Sequence, residues 1–155
     1  MDQQARIKIS CHLISYLKTL YGPKEPISFH KRSDYNNFLI HKLGRPPSNF
    51  KFKKELKPEI AILLPATCLK DLNANNHLSV KDQKDFRKLI ARDFIADYHA
   101  YIDLQFSKGK TRKEATIMFM NLYNIREEEL GFWALYRDYN RMLQKRRLLH
   151  SKPVL

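Results

Sequence analysis

Arg137, Arg141, Gln144 and Lys145 recur at intervals of three and four residues near the end of the chain, so a helix would gather them on one stripe. Their common chemistry is hydrogen-bond donation. Arginine grips a phosphate or a guanine edge with two parallel bonds, glutamine matches adenine, and lysine acts as a point charge. Lys110, Arg112 and Lys113 form a second basic group, and Arg45, Lys51, Lys53 and Lys54 a third. In the third, Phe50-Lys51-Phe52-Lys53 alternates aromatic and cationic side chains, which an extended segment would sort onto opposite sides. All of this is chemistry for holding an anion, and nucleic acid is the partner it predicts, duplex DNA first. Within such a site, Arg137 and Arg141 are the expected base readers, and the lysines the phosphate contacts.

The charge distribution agrees. The chain has 155 residues and a formal charge of +13, from 29 Lys and Arg against 16 Asp and Glu. Residues 1–60 hold 12 basic and 5 acidic side chains, residues 61–107 hold 6 of each, and residues 108–155 hold 11 and 5. Two cationic stretches therefore flank a neutral middle, as expected for two phosphate-facing surfaces.

Catalytic chemistry has little support. The six histidines, His12, His30, His41, His77, His99 and His150, fit neither H-E-x-x-H nor a Cys/His zinc spacing, so no metal is expected. His99 and Asp103 stand one helical turn apart and read as a hydrogen-bonded or exposed pair. Asp93 and Asp97 read as solvated carboxylates balanced by Arg92 or Lys88. Cys11 and Cys68 read as core thiols. Four glycines build no phosphate-cradling loop, so no nucleotide cofactor and no enzyme are expected.

The elements that must position these residues follow from periodicity. Ala5 to Ser10 alternates as a half-buried strand, and a helix with Leu13, Ile14, Leu17, Leu20 and Tyr21 on one face runs to Gly22-Pro23. Pro26–Phe29 is a second strand candidate, Ser33 opens a helix that Gly44 ends, and Glu59–Leu64 is a buried third strand. Residues 1–65 are thus expected to form a β-α-β-α-β lobe, a small three-stranded sheet with two helices. Residues 66–78 read as a linker. Residues 79–150 form a helical lobe packed with the first, opening on a long helix with Phe86, Leu89, Ile90, Phe94, Tyr98, Tyr101 and Ile102 inward. The fold class is α+β, with three helices at the C-terminal end.

Thr111-x-x-Glu114 is a capping box, Ala115, Met118, Phe119 and Leu122 give the next helix an apolar face, and Asn124 suits a left-handed stop. Glu127, Glu128 and Glu129 suit the start of the last helix, on which Phe132, Trp133, Leu135, Tyr136, Tyr139, Met142 and Leu143 are the expected core side. The ten-residue interval from Ala115 to Ile125 resembles the helix-turn-helix DNA-binding motif over residues 111–145, with its small residue in the first helix and its aliphatic opening the second. Phe119 stands where that family has glycine, and Glu128 where it has an apolar residue. A plain antiparallel helical hairpin gives the same spacing. The resemblance implies a DNA-binding regulator or accessory factor, in the style of short basic proteins of phages and mobile elements. The alternatives are an adaptor that binds another protein through its aromatic helices and, third, an RNA-binding protein. A homodimer is compatible with either. No apolar run would span a bilayer and no export signal is visible, so a cytoplasmic protein without membrane contact is expected.

Overall fold

The computed structural model describes residues 4–45, 59–63 and 77–150. In chain order it contains β1 (Gln4–Lys8), α1 (Cys11–Tyr21), α2 (Asp34–Lys42), β2 (Glu59–Leu63), α3 (Val80–Ser107), α4 (Arg112–Leu122) and α5 (Phe132–His150). The chain packs as two compact units, Met1–Phe94 and Ile95–Leu155, and α3 runs from one into the other.

In the first unit the alternation of β1 is physical: Ala5, Ile7 and Ile9 are buried while Arg6 is exposed. β1 pairs antiparallel with β2, Gln4 opposite Leu63 and Lys8 opposite Glu59. Ile60, Ala61 and Ile62 are all buried, so β2 is covered on both faces, as its unbroken apolar run requires. Gly22, with φ of 103°, stops α1 by donating its N–H to the Lys18 carbonyl at 3.0 Å. Leu20, expected inward, is exposed. Glu25 accepts from the Ala61 amide and pairs with Lys18 at 2.8 Å, and that lysine holds its carboxyl below the ordinary range.

The expected three-stranded sheet is not present, and the fold is mostly helical: five helices hold 65% of the described residues, beside a sheet of two strands. The Pro26–Phe29 segment contributes one residue only. Ile27 bridges to β2 through its N–H to Ala61 and its carbonyl from Leu63, both at 2.8 Å. Pro26 has no N–H to extend that ladder, and Phe29 leaves it for an aromatic cluster with Tyr21, Tyr35 and Phe86. α2 ends at Lys42, and Gly44 exchanges both backbone hydrogen bonds with His77. Of the expected 66–78 linker only His77 and Leu78 are among the described residues, and Leu78 is buried.

Ser79 caps α3 by accepting from the Asp82 amide, and Phe86, Ile90, Phe94, Tyr98 and Ile102 lie buried along it at four-residue intervals. The first three serve the first unit, where Phe86 meets Phe29, Tyr35 and Phe38 at 5.3–6.0 Å between ring centres, and Tyr16 meets Phe94 edge-on. Replacing Phe86 by alanine should therefore cost about 3–5 kcal/mol, read from the urea midpoint of unfolding, because the cluster cannot close over the void. A loss under about 1 kcal/mol would show the cluster to be loosely packed.

Candidate nucleic-acid interface

The second unit is built by capping and by polar pairs. Gly109, with φ of 83°, ends α3, while Gly109 and Lys110 donate to the Phe106 and Gln105 carbonyls. The Thr111–Glu114 capping box then opens α4 as expected, and Glu114 is held below the ordinary carboxyl range by the Thr111 amide. Asn124 adopts the left-handed conformation that ends α4, φ 51°. Beyond it the sequence expectation fails. Glu127, Glu128 and Glu129 lie in a turn, and α5 begins only at Phe132. The Glu127 carboxylate accepts from the Phe132 amide at 3.0 Å and so caps the helix from outside it, while Glu129 pairs with Arg126 at 2.9 Å. Nine residues, 123–131, separate α4 from α5. A helix-turn-helix needs a turn of about three or four, so the expected helix-turn-helix-like hairpin is not formed.

α5 is anchored on the C-terminal part of α3. Leu135 and Tyr139 are its buried residues. The Tyr139 hydroxyl donates to Asp103 Oδ1, and Arg146 Nη1 donates to Asp103 Oδ2 at 3.0 Å. His99 Nε2 meets Asp138 Oδ2 at 2.8 Å. His99 and Asp103 thus each pair with α5, not with one another. Burial pushes the Tyr139 phenol up to about 12, helped by the Asp103 hydrogen bond and charge. Burial would also raise Asp103, but the bonds from Tyr139 and Arg146 outweigh it and hold that carboxyl below its ordinary value. Deeper in, Tyr98 and Thr116 share a 2.9 Å hydrogen bond, and burial raises Tyr98 to about 12 as well.

This anchoring decides what α5 shows to solvent. Arg137, Arg141, Gln144 and Lys145 are all exposed, so the expected stripe exists. Asp138, the one carboxylate of α5, is engaged with His99, which leaves the stripe without an acid of its own helix. Arg137 donates through Nε to the Trp133 carbonyl at 3.2 Å. Trp133 itself corrects the expectation of a core residue: it is 61% exposed. The signal was available in the spacing, since Trp133, Arg137, Arg141 and Lys145 form one four-residue series. Phe132 and Tyr136 complete a surface cluster, stacked on one another at 5.6 Å and perpendicular to the indole.

The remaining candidates are placed differently. Lys110 and Lys113 are exposed at the start of α4. Arg112 is half-buried, its guanidinium 5.4 Å from the Phe106 ring centre and 6.0 Å from that of Tyr139, and therefore helps hold the helices together. Arg45 is exposed in the first unit, and Lys51, Lys53 and Lys54 lie outside the described residues. Among the described residues no cluster of His, Cys, Asp and Glu could hold a metal ion, and no helix is long and apolar enough to cross a membrane. No family model matches the chain, and no curated protein or solved structure shows significant similarity to it.

The phenols give a test of the anchoring. From about pH 10 to about pH 12 the unfolded chain loses the Tyr98 and Tyr139 protons while the folded chain keeps them. Folded stability should therefore fall as pH rises through that window. An ultraviolet titration should show two of the eight tyrosines ionising near the top of it. Tyr139→Phe should remove one of these and cost about 1 kcal/mol, the worth of a half-exposed hydrogen bond. A single alkaline step for all phenols would contradict the arrangement.

Proposed function

We propose that the protein binds nucleic acid, duplex DNA included, through the outward face of α5, and serves as a regulator or accessory factor on it. The observation that carries this is the series Trp133, Arg137, Arg141 and Lys145, exposed on a helix whose only carboxylate is turned to His99. Two arginines one turn apart offer planar donor forks to phosphate oxygens, and the net charge of +13 supplies long-range attraction. Insertion of the start of α5 into a groove is not part of the proposal, because Glu127 caps that end and the connection before it is long. Lysine and arginine near a helix C-terminus also favour the helix dipole. That role accounts for Lys145, Arg146 and Arg147 but not for Arg137, which sits near the other end.

A second reading, a protein-binding adaptor, is favoured by one observation: Ile117, Met118 and Leu122 are exposed together along α4. The two readings separate experimentally. If DNA is the partner, binding of random-sequence duplex should weaken with log salt at a slope of about −4, for roughly four phosphates neutralised. The Arg137→Ala/Arg141→Ala double variant should make the slope shallower by about 2, while Ile117→Ser/Leu122→Ser leaves it unchanged. Salt-independent binding, or an arginine variant that behaves as wild type, would exclude this use of α5.

A further inference from the structure

We infer that Trp133 is a stacking platform for an unpaired nucleotide base, so that single-stranded or frayed nucleic acid fits the α5 face better than an intact duplex of equal charge. The inference rests on the nucleic-acid reading and names the kind of ligand that reading leaves open.

Three observations meet at one place. The indole is a large apolar surface left 61% exposed at the first turn of a helix whose buried positions are taken by Leu135 and Tyr139. It is also braced. Phe132 lies 5.0 Å away at 81° and Tyr136 5.9 Å away at 90°, so both neighbours are perpendicular to it and neither lies flat on it. A flat heterocycle is the shape that fills such a face. Finally, Arg137 stands one turn on and donates to the Trp133 carbonyl through Nε, a bond that uses neither of its two terminal amino groups. Arg141 and Lys145 follow at steps of about 6 Å along the helix. A stacked base would therefore have its own phosphate beside Arg137 and the next backbone positions beside the following cations.

An intact duplex cannot use the indole, because its bases are stacked on one another and show only their edges in the grooves. It can use the cations alone. An acidic protein surface could meet the same cations, and failure of both nucleic acids to bind, below, is the outcome that would favour it. The same surface thus implies a preference between two forms of nucleic acid.

Trp133 is the only tryptophan in the chain, so its emission reports the site directly. The full chain would be titrated at fixed low salt with an oligothymidylate of about ten nucleotides and with a two-stranded, loop-free duplex of about twenty base pairs compared at equal phosphate concentration. The expected result is quenching of the emission by the oligothymidylate and little change with the duplex. Trp133→Ala should weaken oligothymidylate binding about 5- to 150-fold, with duplex affinity altered less than about twofold. Trp133→Phe should retain part of the binding, and both variants should keep the far-ultraviolet dichroism of the parent, since the ring is exposed. Unquenched oligothymidylate binding that Trp133→Ala leaves intact, while Arg137→Ala/Arg141→Ala weakens it, would overturn the stacking role and leave the nucleic-acid reading standing. Equal losses on both ligands would overturn the stated preference. Failure of both nucleic acids to bind the parent chain would overturn the inference and the reading beneath it together.

Discussion

His99 and Asp103, one turn apart on α3, determine which way α5 faces. Asp138 pairs with the first, Tyr139 and Arg146 with the second, and Leu135 is buried beside them on α5. Any rotation of α5 about its axis would break these bonds together. It would also carry Arg137 inward, because Trp133 and Arg137 lie only about 40° apart around the helix. Burying the indole is worth at most about 3 kcal/mol. Drawing an unpaired guanidinium toward the interior would cost several kcal/mol more, and the part-exposed Asp138 and Asp103 would lose their partners as well. The tryptophan is outside because the arginine beside it has to be.

The same constraint sorts the other charges of this unit. Arg112 lies over Phe106 and Tyr139, Arg146 is taken by Asp103, and Arg126 by Glu129. Glu127 is occupied in capping α5. What is left outward on α5 is a cationic series headed by an aromatic ring, and the surface on which the functional proposals rest is a by-product of how the interior was satisfied.

Features carried by local chemistry were legible in the sequence. The Thr111–Glu114 box, the left-handed Asn124, the alternation of β1 and the buried series of α3 each depend on residues within a turn or two of one another. The exposed positions of Arg137, Arg141, Gln144 and Lys145 were legible for the same reason. What failed depended on partners far along the chain. Ile27 pairs for a single residue because Pro26 offers no donor and Phe29 is claimed by aromatic neighbours on other helices. The three consecutive glutamates imitate a helix start, yet the true start depends on Glu127 reaching five residues ahead. Trp133 looked buried because an apolar wheel counts rings without asking which charged residue would follow them inward.

The surroundings of a single indole carry both functional proposals, and collisional quenching of its emission by small ions tests them in the free protein. The exposed site predicts a red-shifted emission that iodide and caesium both reach. The adjoining Arg137 and Arg141 predict that iodide, the anion, quenches more strongly than caesium, and that the difference shrinks as salt screens the attraction. A blue-shifted emission shielded from both ions would mean that Trp133 lies in the core and that α5 faces the other way. Stronger quenching by caesium would mean that the face is not cationic.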